Sequence, residues 1–415
     1  MQAVRRIAQV VLVVLAHLAS VGVDALARTV GRRPRMSGPV RLRRLLESLG
    51  TAYMKLGQVL STRPDLVSPA YETELARLQD AAPPVPWPAV EAALARALGG
   101  PPAARFAQID RAPLASASIG QVHGARLADG TPVVVKVRRP GVVDQVEIDL
   151  RLLRLGARIA ARVPVIKHFD PVGLAAEFSE TLRAELDYRR EGENAERLAA
   201  LLGASPWVRV PNVVWDRTTE DVLTESRIEG TKIDDVAALE RSGVDRAAVA
   251  ERFARAYLDM VFVHRFFHAD PHPGNVFVDA NGVIGFVDFG MVGTVDDTTG
   301  RGLARVLVAL ALGDAAQLAD AMVALGVAGH VEDRAGLEAD LADLLARYGD
   351  VPLEELGFRR VVGDVFAVVR RRDLRLPSNI ALLLKTVMMC EGVAAQLDPR
   401  FRLVPVLIPY AARLG

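Results

Sequence analysis

The spacing of apolar residues predicts that the first hundred residues are mostly helical. In the segment 40–62, six apolar residues follow one another at steps of mostly three or four, as on one face of a helix: Leu42, Leu45, Leu49, Ala52, Leu56 and Val59. The same spacing predicts shorter helices over 69–80 and 87–98. Lys55 and Gln58 are three residues apart, so they project to the same side of the first of these helices.

Between residues 106 and 138 the pattern changes to that of β-strands. The small-residue stretch Pro113–His123 predicts a turn that leads into a strand, and Asp129-Gly130 predicts a hairpin turn before the strand Val133–Val137. Further along, the apolar spacing is again largely helical from residue 301 to 396. A small strand-rich region set among helical segments predicts an α+β fold.

A second predicted hairpin carries the residues with the clearest chemistry. Two short apolar runs flank Asn281-Gly282, a sequence that favours a hairpin turn. Asp270, Asn275 and Asp288 lie on its two sides, and Asp288 begins an Asp-Phe-Gly sequence. Magnesium prefers oxygen ligands, which Asn275 and Asp288 can supply, and Asp270 can accept the proton of an attacking hydroxyl. This spacing is typical of a kinase phosphoryl-transfer site.

A metal site made of histidines is the alternative interpretation of the same stretch. His264, His268 and His272 recur every four residues, a spacing that can place two of them on one helical face for zinc. Pro271 and Pro273 break any helix between the last two. We therefore expect His268 to be a structural residue of the loop.

Lys136 interrupts the apolar run of the strand Val133–Val137, where kinases carry a phosphate-binding lysine. A solvent-facing strand lysine is the alternative. A phosphate-binding lysine needs a carboxylate partner, and acidic residues cluster on the helical segment that follows: Glu185, Asp187 and Glu191. The stretch Glu225–Ile228 leads to Glu229-Gly230, which we interpret as the hinge to a second lobe, and backbone groups at such a hinge can bind adenine.

The segment after Asp288-Phe289-Gly290 limits the substrate class. Only the short stretch 291–299 precedes the next predicted helix, and it lacks the Ala-Pro-Glu sequence that ends the activation segment of protein kinases. This argues against docking of an extended protein substrate.

Composition excludes several classes of protein. Apolar residues make up 51% of the 415, so the chain is globular or membrane-attached rather than disordered. The net charge of +1 gives no general attraction to nucleic acid, and we expect no nucleic-acid partner. Cys390 is the single cysteine, so an intramolecular disulfide is impossible, which fits a reducing compartment.

The N-terminal stretch Ile7–Val23 contains no charged residue and is at the short limit for a membrane span. We interpret it as a helix that lies on or dips into the inner leaflet, with a buried core helix as the alternative. A cleaved secretory signal is disfavoured because an exported kinase-like enzyme would lack ATP. No other stretch is predicted to be long enough to span. Seven arginines that follow this stretch form either a basic patch that binds an anionic surface or a solvated basic linker: Arg28, Arg32, Arg33, Arg35, Arg41, Arg43 and Arg44.

These motifs together resemble the AarF/UbiB (ADCK-like) family of atypical kinases over roughly residues 40–400. The resemblance rests on Lys55-Leu56-Gly57-Gln58, the loop Ala115–Val122, Lys136, Glu185-Leu186-Asp187, His268–Asn275 and Asp288-Phe289-Gly290. It implies a bilobal protein-kinase-like fold, with a small β-rich N-lobe, a helical C-lobe and a helical N-terminal extension. The implied boundaries are 1–36 for a hydrophobic and basic segment, 37–105 for the extension, 106–228 for the N-lobe and 229–415 for the C-lobe.

The resemblance also implies a role for each motif residue, with ATP and Mg²⁺ as cofactors. Lys136 would bind the nucleotide phosphates and pair with Glu185, Asp270 would be the catalytic-loop acid, and Asn275 and Asp288 would bind magnesium. The alanine-rich loop that replaces a glycine-rich one would cover the nucleotide, and here it is Ala115, Ser116, Ala117 and Ser118. Lys55 and Gln58 would occlude the substrate side, and Glu185 and Asp187 would meet this extension.

Three functions are compatible with the sequence. The first is an ATP-binding, magnesium-dependent atypical kinase or ATPase that supports ubiquinone or related isoprenoid-lipid biosynthesis at the cytoplasmic face of the inner or plasma membrane. An anionic or isoprenoid lipid and quinone-biosynthesis proteins would be its partners. The second is a small-molecule phosphotransferase of the aminoglycoside or choline kinase type. The third is a non-catalytic, nucleotide-switched lipid-handling scaffold. Two features differ from the family. The small-residue loop is Ala-Ser-Ala-Ser rather than a run of three alanines. The C-terminal pair of membrane spans of some bacterial relatives is not seen, so we expect membrane attachment through the N-terminus or the basic patch.

Overall fold

A computed structural model describes most of the chain. The described residues are 2–29, 36–61, 63, 66–78, 82–163, 170–327, 333–348, 351, 355–372 and 374–411. They divide into two compact units, the first made of Met1–Arg190 and Val213–Ser226 and the second of Glu191–Asn212 and Arg227–Gly415. Helices and small sheets coexist in the chain, which confirms the α+β class.

Helices dominate the N-terminal part of the first unit. They are α1 (Gln2–Thr29), α2 (Gly38–Leu49), α3 (Thr51–Ser61), α4 (Pro69–Leu75), α5 (Trp87–Leu98), α6 (Val142–Ala160), α7 (Pro171–Glu185) and α8 (Tyr188–Leu202), the last of which carries the boundary between the units. A shared apolar core joins α2, α3, α4, α6 and α7, and one side of α1 packs against it. The helix predicted over 87–98 is confirmed, whereas the one predicted over 69–80 ends at Leu75.

The prediction of one continuous helix over 40–62 is wrong, because Gly50 separates α2 from α3. Gly50 has φ of 92°, a conformation that a residue with a side chain rarely adopts. Its N–H donates to the carbonyls of Leu46 and Glu47, which closes the end of α2. The apolar period continues across the break, so spacing alone does not reveal it.

An antiparallel sheet in the order β1-β2-β3-β5 completes the first unit. Its strands are β1 (Gln108–Ser116), β2 (Gly120–Arg126), β3 (Pro132–Arg138) and β5 (Val222–Ser226). Strand β3 lies inside the sheet, and its valines alternate in burial, with Val133, Val135 and Val137 facing the core with α5. Lys136 therefore lies on the opposite face of β3, as the strand prediction requires.

The second unit contains two further small sheets and most of the remaining helices. Its strands are β4 (Val208–Arg209), β6 (Thr231–Lys232), β7 (Phe266–His268), β8 (Val276–Val278), β9 (Ile284–Phe286) and β10 (Val292–Thr294). One sheet has the order β4-β9-β8-β6, and the other pairs β10 with β7. Strands β8 and β9 are antiparallel, and Gly282 in their turn has φ of 73°, so the predicted hairpin is confirmed.

The helices of the second unit form its apolar core. They are α9 (Val236–Arg241), α10 (Arg246–Leu258), α11 (Asp297–Leu312), α12 (Ala315–Ala324), α13 (Arg334–Tyr348), α14 (Phe358–Arg371), α15 (Ser378–Leu397) and α16 (Leu403–Ala411). A single cluster of buried side chains runs through α11 to α15. Asp296 caps α11 by accepting a hydrogen bond from the Thr299 N–H, so this helix begins four residues before the predicted start at 301.

Among the described residues, two helices have the length and hydropathy of a membrane span. One is Val4–Asp24 in α1, of which 6% is buried, and the other is Ser378–Leu397, of which 56% is buried. The second corrects the expectation that no other stretch would qualify. Because more than half of α15 is buried and it packs against α10, it is a core helix of the second unit. A buried core helix can be as long and apolar as a membrane span.

Candidate active site

The structure joins Asp270 and Asn275 directly. The Asn275 Nδ2 donates to Asp270 Oδ2 over 2.9 Å and to the Asp270 carbonyl oxygen over 3.3 Å. The Val287 N–H donates to the Asn275 carbonyl over 3.0 Å, which ties this loop to the residue before Asp288. Because the amide nitrogen of Asn275 faces the carboxylate, its Oδ1 is the atom that can ligate a cation.

Asp288 has a backbone conformation that is uncommon for residues other than glycine. Its φ is 64°, in the left-handed region, and its side chain is exposed. The backbone that follows is anchored, because Phe289 is fully buried and its carbonyl accepts a hydrogen bond of 3.0 Å from Asn194 Nδ2. Residues in this left-handed region recur at active sites, and here the residue is the aspartate that the sequence predicts to bind a metal.

His268 connects the loop that carries Asp270 to the segment before Asp288. Its Nε2 donates to the Val287 carbonyl over 3.2 Å, and its Nδ1 accepts from the Asp270 N–H over 3.2 Å. These partners select the neutral tautomer with the proton on Nε2, and the ring lies edge-on to Phe289. Both ring nitrogens of His268 form hydrogen bonds with backbone groups, so the structure does not support zinc binding by this residue. These bonds fit the structural role that the sequence predicts for His268.

In the first unit, Lys136 lies beside an aromatic ring that the sequence did not single out. Its Nζ is 5.3 Å from the ring centroid of Tyr188, within the range of a cation–π contact. Gly120 makes room for the same tyrosine, because a Cβ at this position would overlap the Tyr188 hydroxyl and lie 2.8 Å from the Val137 carbonyl oxygen. The glycine of the Ser-Ile-Gly-Gln-Val motif therefore serves packing around Lys136.

The extension reaches Glu185 through Lys55. The Lys55 Nζ lies 3.0 Å from Glu185 Oε2, and the two side chains are 20% and 13% exposed. Gln58 Nε2 donates to the Leu78 carbonyl over 3.1 Å, which holds α3 against the segment after α4. The structure shows Glu185 in an ion pair with Lys55, and the expected pairing of Glu185 with Lys136 stays a prediction.

Asp187 has a different partner from Glu185. Its carboxylate accepts two hydrogen bonds from the Arg189 guanidinium, at 2.9 and 2.8 Å, and one from the Arg189 N–H. These contacts with Arg189 lower the pKa of Asp187. Of the two acidic residues expected to meet the extension, Glu185 contacts Lys55, whereas the hydrogen bonds described for the carboxylate of Asp187 are with Arg189.

The small-residue loop is a tight turn between β1 and β2. Ala115 and Ser116 belong to the end of β1, and the Ala117 N–H donates to the Gly120 carbonyl over 2.8 Å, so that Ser118 and Ile119 form the tip. Ser118 is 3% exposed. The sequence places all four small residues in one loop, whereas the structure divides them between a strand end and the turn.

Arg139 is a residue that sequence reasoning missed. Its guanidinium donates to the Ala117 carbonyl over 2.7 Å, to Ser116 Oγ over 2.8 Å and to the Pro83 carbonyl over 2.8 Å. It therefore fastens the turn to the segment before α5. In the sequence, Arg139 stands three residues after Lys136. This position predicts only that a polar residue follows the end of the strand, and it does not identify the partners of Arg139.

Gln121, supported by His123, attaches strand β2 to the segment before α5. Gln121 is 2% exposed, and its Oε1 accepts from the Val85 N–H over 2.8 Å. His123 lies 2.8 Å from Gln121 through its Nε2 and 2.8 Å from the Asp110 carbonyl through its Nδ1. Burial lowers the pKa of His123. Since Nδ1 contacts a carbonyl, it carries the proton, and Nε2 accepts from Gln121.

The predicted hinge residues fall in different settings. Glu225 is buried in β5 opposite Val134 of β3, and it also bridges to Val213. Ile228 belongs to the second unit, where its side chain covers Gly285 of β9 so closely that a Cβ on the glycine would overlap it. The boundary between the units falls between Ser226 and Arg227, two residues before the predicted boundary between 228 and 229.

Comparison with known proteins agrees with this set of motifs. Residues 77–322 match the family model of the ABC1 atypical kinase-like domain, and residues 341–402 match that of the UbiB helical domain. A probable protein kinase UbiB of Xylella fastidiosa is 38% identical over 382 residues, which cover 90% of this chain and 69% of the relative. An uncharacterized protein of Synechocystis is 36% identical over 375 residues, which cover 90% of this chain and 64% of that protein.

A solved structure is also similar. Rv3197 of Mycobacterium tuberculosis, in its complex with erythromycin, has 27% sequence identity and a TM-score of 0.57, covering 85% of this chain and 90% of that one. The kinase-like fold implied by the motifs is therefore confirmed. The chain belongs to the UbiB-like family of ABC1 atypical kinases.

Proposed function

We propose that this protein binds ATP with magnesium and acts as an atypical kinase or ATPase. The observation that carries the proposal is the Asp270–Asn275 hydrogen bond, which leaves Asn275 Oδ1 available for a cation and fixes the carboxylate that can accept a proton. Asp288, held in its left-handed conformation, would supply the second metal ligand. Phosphoryl transfer depends mainly on such positioning and charge stabilisation.

Further residues would supply the nucleotide contacts. Lys136 would bind the phosphates, and the turn at Ala117 and Ser118 would cover them. This turn is held rigid by Arg139, which limits the motion of the loop without needing a glycine-rich sequence. Backbone groups from Glu225 to Ile228 would bind the adenine.

The Lys55–Glu185 ion pair supports a restricted acceptor. It ties α3, which carries the Lys-Leu-Gly-Gln motif, to the carboxylate that kinases pair with their phosphate-binding lysine. In such a site the acceptor would be water or a small lipid-related molecule rather than an extended protein. The short segment after Gly290, which leads directly into β10, agrees with this.

We further propose that this activity supports ubiquinone or related isoprenoid-lipid biosynthesis at a membrane. The proposal rests on family membership and on relatives named UbiB, together with the apolar helix α1. Anionic or isoprenoid lipids and quinone-biosynthesis proteins would be the partners.

The test is magnesium-dependent ATP hydrolysis by the purified protein, with and without anionic-lipid vesicles. Asp288→Asn keeps the shape of the side chain and removes its charge, so turnover should fall at least 100-fold, as is typical for loss of one group that stabilises transition-state charge. A matched control is Asp297→Asn, at an exposed aspartate of α11 whose partner is Arg265, which should retain turnover. Equal turnover in Asp288→Asn and the wild type would refute the site assignment.

A further inference from the structure

Helix α1 presents two different faces. One face packs on the core of the first unit through Val10, Val13 and Val14. The opposite face exposes a row of large apolar side chains, each between 42% and 71% exposed: Val4, Ile7, Val11, Leu12, Leu15 and Leu18. An exposed apolar row of this length on one helix is unusual for a surface that contacts only water.

Polar contacts fasten α1 to the first unit near both of its ends. Close to the N-terminus, Arg6 donates from Nε and Nη2 to the two carboxylate oxygens of Asp149, both over 2.7 Å, and it also contacts the Leu49 carbonyl. Toward the other end, Asp24 forms an ion pair with Arg41. Arg6 and Asp149 are 9% and 1% exposed, so this pair is buried and specific.

These attachments determine how α1 can meet a membrane. Eighteen residues of helix between Arg6 and Asp24 span about 27 Å, close to the thickness of the hydrocarbon core. A helix fastened at both ends to the same unit lies along the surface of that unit. In this docked state it cannot cross a bilayer, but its outer face can enter the interface sideways.

The exposed side of α6 extends the apolar surface and adds charge. Leu155, Ile159 and Val163 are four residues apart and are 55%, 57% and 43% exposed. Arginines accompany them, and residues 150–163 contain no Asp or Glu. The arginines of this stretch that are exposed are Arg151, Arg158 and Arg162.

Helical geometry places these residues in a definite order around α6. At ~100° per residue, the order starting from Asp149, the partner of Arg6 on α1, is Ile159, Leu155, Arg151 and Arg158, and Arg162 and Val163 lie in the turn that follows the end of α6 at Ala160. Within α6, Ile159 therefore lies nearest to α1, Leu155 follows, and Arg151 and Arg158 lie farthest from α1. A band of apolar side chains edged by arginines is the composition of a surface that binds an anionic lipid leaflet.

We propose that α1 and the second half of α6 form one lipid face, which docks the protein in the plane of an anionic bilayer. The lipid face consists of the outer row of α1, the row Leu155–Ile159–Val163 and the arginines Arg151, Arg158 and Arg162. The apolar rows enter the acyl boundary, and the arginines bind the headgroups. The inference deepens the proposed membrane association by assigning its surface and its orientation, in which α1 lies flat.

Vesicle flotation tests the charge of the lipid face. The vesicles contain phosphatidylcholine alone or with phosphatidylglycerol, and ATP is omitted, so a failure of nucleotide chemistry does not affect the result. Each arginine near an anionic surface contributes about fivefold to binding, so Arg158→Gln/Arg162→Gln should bind about 25-fold more weakly to the anionic vesicles. The matched control Arg301→Gln/Arg305→Gln, which changes two exposed arginines on α11, should bind as the wild type does. Equal loss in both variants would contradict the assignment of the charged row.

Spin labels test the orientation of α1. Single cysteines replace Val4, Val11 or Leu18, and Cys390 is buried, with burial raising the pKa of its thiol, so the label attaches to the introduced site. A flat helix predicts the same shallow depth in the bilayer for all three labels. A central depth for Val11 with shallow depths at the other two would show that α1 undocks and spans. Labels shielded without lipid, together with a dimeric mass in solution, would show that a second copy covers the face; either outcome overturns the proposal.

Discussion

Gly57, in the Lys-Leu-Gly-Gln motif, offers a direct test of how the extension packs. It lies on α3 where a Cβ would overlap Leu78 Cδ1 and lie 2.7 Å from Leu46 Cδ1. Gly57→Ala therefore forces two leucine tips to move, at a cost of about 1–3 kcal/mol for overpacking, partly offset by about 1 kcal/mol because alanine favours helix. We expect net destabilisation of about 1 kcal/mol.

A matched glycine gives the opposite expectation. Gly156 lies in α6, is exposed, and a Cβ there would meet nothing within 4 Å. Gly156→Ala should stabilise the first unit by about 0.5–1 kcal/mol through helix propensity alone. The two variants should thus differ by about 2 kcal/mol, or roughly 4–8 °C in Tm for a unit of this size.

Urea denaturation and thermal melting followed by circular dichroism measure this difference. Lys55 is two residues before Gly57, so a displacement of α3 can also disturb the Lys55–Glu185 ion pair. ATP turnover by the same two variants shows whether it does. If Gly57→Ala is as stable as Gly156→Ala, α3 does not pack on Leu46 and Leu78 as the structure shows, and the account of the extension is refuted.

Three further predictions concern the first unit. Arg139→Ala removes three hydrogen bonds that hold the small-residue turn, so the Kd for ATP, measured by calorimetry, should rise about tenfold or more, and Arg139→Lys should restore only part of it; unchanged binding in both would contradict the role of the turn. Burial lowers the pKa of His123, so as pH falls below about 6.5 the unfolded chain binds a proton at this residue that the folded chain does not. The urea midpoint of the wild type should therefore drop on acidification, and that of His123→Gln should drop less. Lys55→Ala breaks the ion pair with Glu185, in which the two side chains are only 20% and 13% exposed, so it should lower stability by about 1–3 kcal/mol and should alter ATP turnover by more than that loss explains; turnover that simply follows stability would remove the gating role.

The sequence predicted best where short-range patterns decide the structure. Asn281-Gly282 predicted the β8–β9 hairpin because glycine readily adopts the left-handed backbone that such a turn requires. Lys136 was placed on β3 because alternation of apolar residues defines a strand and its two faces. The proposed catalytic residues of the second unit follow from the same local logic, since Asp270 and Asn275 are only five residues apart and meet within one loop.

Long-range contacts could not be predicted from spacing. Arg139 contacts Pro83, 56 residues away, and Arg6 contacts Asp149, 143 residues away. Neither pair has a local pattern that identifies the partner. The break at Gly50 was also missed, because the apolar period runs through it and glycine inside a helical pattern does not by itself require a helix end.

Part of the predicted basic patch lies outside the described residues. Arg32, Arg33 and Arg35 belong to it, whereas Arg41 is described and pairs with Asp24. The arginines that the structure places beside exposed apolar side chains are instead those of α6. The sequence pattern of α6 contains this information, since leucine and arginine recur there at helical spacing, but the spacing alone does not tell which side is buried.

The most direct test of the central claim is binding of Mn²⁺, as a paramagnetic substitute for Mg²⁺, in the presence of ATP. Electron paramagnetic resonance of the wild-type protein should show a tightly bound Mn²⁺ that depends on ATP, because the proposed ligands Asn275 and Asp288 would supply oxygen atoms and the nucleotide phosphates would supply more. Asp288→Asn should weaken this binding at least tenfold while the fold, followed by circular dichroism, stays intact. Equal Mn²⁺ binding in Asp288→Asn and the wild type, or none in the wild type with ATP bound, would contradict the assignment of this site to metal-dependent phosphoryl transfer.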